Sequence, residues 1–303
     1  MPLKIFGFEA LWSPFFFVAI LFMTTVYFLV TVKWRHDFQN NEPLKKKEGV
    51  FFVIAMILLY VIKGSPVDLM GHILFSVHMV QMAVLYLLIP PLLIVGIPSW
   101  LWQFIIKQPV VKQIFQFGTK PLIALILFNG MFSFYHMPMI FDVIKTDETL
   151  HGIYTFVLFI FAIFMWWPLV NKLPGENRLH GLKKVGYIFA DGVLLTPACA
   201  LIIFAESPMY ATYYDASVWL QALTLCVPID TLAGLNLSGP ELFTDMPPIE
   251  DQQLGGVLMK IIQEIVYGVV LAQIFFEWYR KEQVESDSIN EQALLARNPQ
   301  TTE

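Results

Sequence analysis

Seven apolar segments, each close to the length of about 20 residues that a membrane-spanning helix requires, constrain the fold of this chain more than any other feature. They cover residues 11–32, 50–66, 72–95, 121–139, 150–170, 186–206 and 254–279. The chain is 57% hydrophobic and 14% charged, whereas soluble domains average about 45–50% apolar and about 25% charged residues. The sequence therefore predicts an all-α, polytopic membrane protein with a seven-helix transmembrane domain over residues 1–282.

The basic residues are distributed unevenly between the two ends of this predicted bundle. All but four of the 19 Lys and Arg residues fall in segments that seven alternating spans place on one side; the exceptions are Lys4, Lys63, Lys145 and Lys260. Because the excess of Lys and Arg marks the cytoplasmic loops, we predict that the N-terminus is outside and the C-terminus is in the cytoplasm. The polar residues 283–303 are predicted to form a disordered cytoplasmic tail.

Histidine and methionine side chains collect at the outer end of the third predicted span. His72 opens this span, and His78, Met79 and Met82 follow further in. At about 100° per residue, His78, Met79 and Met82 share one side of a helix. That side offers imidazole nitrogen and thioether sulfur, the soft and intermediate ligands that suit copper.

Other potential ligands are predicted at the same depth on neighbouring spans. His136 ends the fourth span, His151 opens the fifth, and Asp251 and Met259 lie at the start of the seventh. The predicted metal ligands are therefore His72, His78, Met79, Met82, His136, His151, Asp251 and Met259. The competing interpretation is that the histidines are interfacial hydrogen-bonding residues and the methionines fill the core. The sequence leaves open whether the four histidines meet in space.

The order of several motifs along the chain resembles that of the CtaG family of multi-pass membrane proteins from bacilli. The motifs are Leu11-Trp12-Ser13-Pro14, His78-Met79-Val80-Gln81-Met82, Tyr135-His136-Met137-Pro138 and Asp251-Gln252-Gln253-Leu254-Gly255-Gly256. The resemblance extends from about residue 5 to residue 282. It implies an assembly factor for a caa3-type cytochrome c oxidase in the bacterial plasma membrane, not an enzyme.

This resemblance also implies partners. They are the subunits of the oxidase, other copper chaperones and membrane lipid, with no role for nucleic acid. An oxidase of this class needs copper at its outer side, where the histidines and methionines are predicted to lie. Copper as cargo is our inference from this residue chemistry, because imidazole and thioether ligands allow Cu(I) to exchange.

Three other interpretations stay open at this stage. In the first, the protein is a haem or subunit chaperone that binds no copper. In the second, it is a membrane metallohydrolase that uses the histidines and Asp251. The third is a retinal protein. A retinal protein would need a lysine deep in the bundle with a carboxylate counter-ion. Lys260 lies near the outer end of its span, with Glu264 on the same helix, and this position disfavours the retinal interpretation.

Overall fold

The computed structural model of the protein describes residues 3–173, 179–235 and 237–297, and these residues contain helices and connecting loops without a β-strand. Five helical segments are long and apolar enough to cross a membrane, and two bent helix pairs raise the number to seven if each pair is one span. The predicted all-helical membrane fold is thus confirmed. Its orientation in the membrane stays a prediction.

The helices alternate between long apolar segments and short connecting elements. In the N-terminal half they are α1 (Gly7–Trp12), α2 (Pro14–Phe28), α3 (Lys46–Gly64), α4 (Pro66–Ile73), α5 (Phe75–Ala83), α6 (Ile89–Gly96), α7 (Ser99–Ile106), α8 (Pro109–Gly118), α9 (Pro121–Tyr135) and α10 (Pro138–Lys145). The C-terminal half contains α11 (Glu148–Val170), α12 (Leu182–Ile203), α13 (Ala216–Leu223), α14 (Ile229–Ala233) and α15 (Pro248–Arg297).

A bend of 49° separates α3 from α4. Ser65 lies at the bend with extended backbone, and its hydroxyl accepts a hydrogen bond from the Val67 N–H at 3.2 Å. Pro66 is the first residue of α4, a position at which the missing N–H of proline costs no helical hydrogen bond. The bend turns α4 across the end of the bundle.

A second break, at Leu74, separates α4 from α5. Leu74 has φ −118° and ψ 126°, an extended conformation, and the N–H groups of Phe75 and Ser76 after it donate to the carboxylate of Asp251 instead of to α4. His72 therefore lies on α4, and the third span covers Phe75–Gly96, whereas the sequence predicted that this span starts at residue 72. The apolar pattern continues through the break, so hydropathy alone does not reveal it.

The main core joins α5, α9, α11, α12 and α15. Large aromatic side chains fill it, and Trp166 donates a hydrogen bond from Nε1 to the carbonyl of Tyr86 at 3.0 Å. Gly255 allows α15 to lie against α5, because a Cβ at this position would lie 2.8 Å from Phe75 and 3.0 Å from Met79. Small residues commonly permit such close approach between membrane helices.

A second apolar cluster closes one end of the bundle. Phe6 and Leu11 from the N-terminal segment pack with Leu69 of α4 and with Trp219 and Leu223 of α13. The N-terminal segment and the long connection between α12 and α15 therefore lie at the same end, as the predicted topology requires.

The last helix continues past the apolar segment. α15 extends to Arg297, into the part of the chain predicted to be a disordered tail. Glu, Gln, Ala and Leu are abundant there, and all four favour helix. Residues 298–303 of the predicted tail lie outside the described residues, and the disorder of the tail stays a prediction.

Replacing Gly96 by alanine is expected to destabilise the bundle by about 2–3 kcal/mol. A Cβ at this position would lie 2.7 Å from the backbone nitrogen of Phe52 and 3.0 Å from its Cα, so α6 and α3 would have to separate. The matched control is Gly268→Ala, because a Cβ there meets no atom within 4 Å. Thermal unfolding in detergent should show a lower midpoint for Gly96→Ala only, and equal midpoints would contradict the packing described.

Candidate functional site

A cavity of about 850 Å³ lies between α2, α3, α4, α5 and α11, at the end of the bundle that carries α10 and α13. Four of the eight predicted metal ligands line it: His72, His78, Met82 and His151. They reach it from different elements, since His72 is on α4, His78 and Met82 are one turn apart on α5, and His151 is in the first turn of α11. Residues that are distant in sequence thus share one cavity.

The four histidines that the sequence predicts at the outer end come together in two pairs. The ring centroids of His72 and His151 are 6.2 Å apart, and those of His78 and His136 are 6.4 Å apart. A ring centroid lies roughly 1 Å behind the nitrogen, so two imidazoles that share an ion at about 2.0 Å per bond have centroids about 6 Å apart. Both pairs have separations close to this value.

Several imidazole nitrogens in this region have no hydrogen-bond partner although they are buried. They are Nε2 of His78, Nε2 of His136 and Nδ1 of His151. His136 donates from Nδ1 to the carbonyl of Phe132 at 2.8 Å, which leaves Nε2 with a free lone pair. Buried polar atoms are nearly always paired, so these nitrogens are available to a bound ligand.

The remaining predicted ligands do not line the cavity. Met79 and Met259 are fully buried in the main core, where Met79 packs on Gly255. His136 lies behind His78, next to the cavity instead of on its wall. These methionines behave as core side chains, the competing interpretation that the sequence had left open.

The carboxylate of Asp251 caps the start of α5. It accepts hydrogen bonds from the Phe75 N–H at 2.6 Å, from the Ser76 N–H at 3.3 Å and from the Ser76 hydroxyl. The first N–H groups of a helix have no partner within the helix. Asp251 supplies that partner from α15, and the structure does not bring it to the histidines of the cavity.

Two lysines line the cavity, and neither was among the predicted site residues. Lys63 forms an ion pair with Asp68 at 2.7 Å. Lys145 is only 2% exposed, and its Nζ lies 3.4 Å from Nδ1 of His72, which accepts the hydrogen bond when His72 is neutral. Burial, assisted by the charge of Lys63, lowers the pKa of Lys145 to about 7, while Asp68 acts in the opposite direction.

The distribution of charge along the sequence held a signal for these lysines. Lys63 and Lys145 are two of the four basic residues that do not follow the charge asymmetry of the predicted topology. Ionisable residues inside a membrane bundle are costly and commonly functional. Their location at one cavity required the tertiary structure, because hydropathy gives no information on lateral contacts.

Hydrogen bonds from a short loop hold the walls of the cavity in place. Tyr213 donates from its hydroxyl to the carbonyl of Gly71 at 2.8 Å, and Tyr210 donates to the carbonyl of His136 at 2.8 Å. The carboxylate of Asp142 accepts from the N–H groups of residues 211 and 212, each at 3.1 Å. The loop at residues 210–213 therefore fixes α4, the end of α9 and α10 relative to one another.

The cavity is not a closed metal site of the structural type. Across residues 3–173, 179–235 and 237–297, no three His, Cys, Asp or Glu side chains are close enough to hold one ion.

The lysine on the last span lies outside this cavity. Lys260 forms an ion pair with Glu264 at 3.1 Å and donates a hydrogen bond to the Thr196 hydroxyl at 3.1 Å. A retinal Schiff base would need this lysine free inside the bundle. The local pair with Glu264 provides no such arrangement.

Comparison with known proteins identifies a family. The family model described as cytochrome c oxidase caa3 assembly factor matches residues 25–281. The chain is 21% identical over 249 residues to the uncharacterized protein ML1998 of Mycobacterium leprae, covering 77% of this chain and 34% of that protein. It is 22% identical over 234 residues to the uncharacterized protein Mb0105 of Mycobacterium bovis, covering 72% of this chain and 32% of that protein.

The chain thus spans about a third of the length of these curated relatives. No solved structure matches it.

Proposed function

Because the chain belongs to the family of cytochrome c oxidase caa3 assembly factors, we propose that it acts in the bacterial plasma membrane and carries copper as cargo for this oxidase. The cargo site is the cavity, and its principal ligands are His78 and Met82, with His72 and His151 on the surrounding walls and His136 next to His78. The partners are the oxidase subunits and the copper chaperones that deliver or receive the ion.

One observation supports this proposal most strongly. His72, His78, Met82 and His151 line a single cavity, and His78 and His151 each have a buried nitrogen without a hydrogen-bond partner. Unpaired buried nitrogens cost free energy unless a ligand binds them. Imidazole and thioether together favour copper over the hard cations Mg²⁺ and Ca²⁺, which require oxygen ligands.

The same residues explain why the ion would remain exchangeable. His78 and Met82 are held by α5, whereas His72 and His151 lie on separate elements across the cavity. An ion bound first by two ligands can gain or lose the others as they move. A site of four cysteine thiolates would hold the ion more tightly and release it more slowly.

The size of the cavity favours a second candidate, a haem chaperone. A single ion does not need about 850 Å³, whereas cavities of about 300–1,000 Å³ accommodate organic ligands. In this alternative the histidines are ligands to haem iron, and no copper is bound. The two candidates therefore differ in the cargo and share the residues.

Metal and haem analysis of the purified full-length protein separates these candidates. After expression with added copper, we expect one Cu(I) per chain and no haem absorbance. The double variant His78→Ala/Met82→Leu should retain no copper, because it lacks both principal ligands. The exposed Met139→Leu and the buried Met259→Leu are matched controls, since neither methionine lines the cavity.

Copper absent from the wild-type protein would contradict the copper proposal. Stoichiometric haem in its place would support the second candidate. Copper loss in Met259→Leu as large as in the double variant would show that packing, and not ligation, is the cause.

A further inference from the structure

The charged side chains that line the cavity do not balance. They are Lys63, Asp68 and Lys145. Lys63 and Asp68 form an ion pair with 2.7 Å between Nζ and Oδ1. Gln81 donates a hydrogen bond from Nε2 to the same carboxylate oxygen at 3.2 Å. Lys145 is left as the surplus cation.

Lys145 forms no ion pair among the described residues, and Asp68, whose charge acts on it from further away, is paired with Lys63. The nearby groups are Nδ1 of His72 at 3.4 Å and the ring of Tyr213, whose centroid is 5.9 Å from Nζ. Both are neutral groups, and the ammonium is only 2% exposed. A buried charge is costly unless an opposite charge pairs with it, so the structure has a place for an anion.

The rest of the cavity lining is mainly apolar. On α11 it is lined in succession by His151, Phe156 and Phe159, which span about 12 Å along a helix. Phe16 and Leu59 form the facing wall from α2 and α3. The polar groups are therefore at one end, and an apolar channel leads away from them.

The channel opens between α2 and α11. Met23 of α2 and Phe156 of α11 both line it, and they are 43% and 65% exposed. These helices belong to spans, so the opening faces the surrounding lipid. A molecule dissolved in the membrane can enter from the side.

We propose that the cavity binds an amphipathic acid from the membrane, with its carboxylate or phosphate group on Lys145 and its apolar part between α2 and α11. This inference goes beyond the copper cargo and does not rest on it, because the acid contacts Lys145 whereas copper is held by His78 and Met82. Haem, a fatty acid and an anionic phospholipid all belong to this chemical class.

Competition binding in detergent tests the proposal with the full chain. The probe is cis-parinaric acid, a fluorescent fatty acid, and the competitors are oleate, a short-chain phosphatidate, haem and the neutral oleyl alcohol. The acids should displace the probe at concentrations at least about tenfold lower than the alcohol does. The best competitor identifies the source of the acidic group.

Variants at position 145 establish the role of the cation. Lys145→Met has nearly the same volume and should remove the preference for acids over the alcohol, whereas Lys145→Arg should retain it. Lys260→Met is the control, because Lys260 lies outside the cavity and is paired with Glu264.

The stability of the unliganded variant gives a second readout. A buried lysine that pairs only with a bound acid destabilises the protein when no acid is bound. Lys145→Met should therefore raise the midpoint of thermal unfolding. A lower midpoint together with unchanged acid preference would show a purely structural lysine and overturn the proposal. Equal displacement by oleate and oleyl alcohol in the wild-type protein would overturn it as well.

Discussion

Cells that carry His78→Ala in place of the wild-type chain are expected to accumulate little copper-loaded caa3-type oxidase, with a decrease of about tenfold or more. His78 is the only histidine that both lines the cavity and belongs to the same helix as Met82. Its Nε2 is buried and has no hydrogen-bond partner among the described residues. Removing this imidazole therefore takes a ligand from the proposed copper site without breaking a hydrogen bond that supports the fold.

The measurement is the copper content and the activity of the oxidase in membranes of a strain that lacks the chromosomal copy. Immunoblotting must show equal amounts of the wild-type chain and the His78→Ala variant. His180→Ala is the matched control, because His180 is exposed and does not line the cavity. Full oxidase assembly with His78→Ala, at normal amounts of the variant, would exclude the cavity as the cargo site.

Asp251→Ala is expected to produce the largest loss of stability, about 2–6 kcal/mol. The carboxylate accepts three hydrogen bonds at the start of α5, two from N–H groups and one from the Ser76 hydroxyl. Without it, the N–H groups of Phe75 and Ser76 are buried and unpaired, a condition that costs about 1–3 kcal/mol for each group. Since α5 carries His78 and Met82, the cavity should be lost with the helix start.

Unfolding in detergent, followed by circular dichroism, measures this effect. Glu250→Ala is the control, because Glu250 is the exposed neighbour in the same helix turn. Asp251→Asn should be intermediate, since an amide oxygen can accept some of the three bonds. A midpoint for Asp251→Ala within a degree or so of that of the control would contradict the capping role.

Much of the fold follows from the sequence because membrane spans are defined by length and hydropathy. The helical class and the approximate positions of the spans were predicted on this basis. The break at Leu74 was not, because the carboxylate that caps the helix after it is 176 residues away from Phe75 in the chain. Local patterns do not report a cap that comes from another helix.

The candidate site was predicted only in part, because local patterns do not report contacts between helices. Depth counting placed the four histidines at one end of the bundle, and the structure brings them into two pairs. Depth counting did not distinguish Met82, which lines the cavity, from Met79, which packs on Gly255. Met79 and Met82 are three residues apart, which leaves about 60° of helical rotation between them, and the sequence does not determine the rotation of a mostly apolar helix that finely.

X-ray absorption at the copper edge of the Cu(I)-loaded protein tests the central claim most directly. We expect copper to be coordinated by imidazole nitrogens and one sulfur, because the cavity presents histidines and the thioether of Met82. Met82→Leu should remove the sulfur and leave the nitrogens, and His78→Ala should weaken the nitrogen shell. A shell without sulfur, or a wild-type spectrum that neither substitution alters, would show that the cavity is not the copper site.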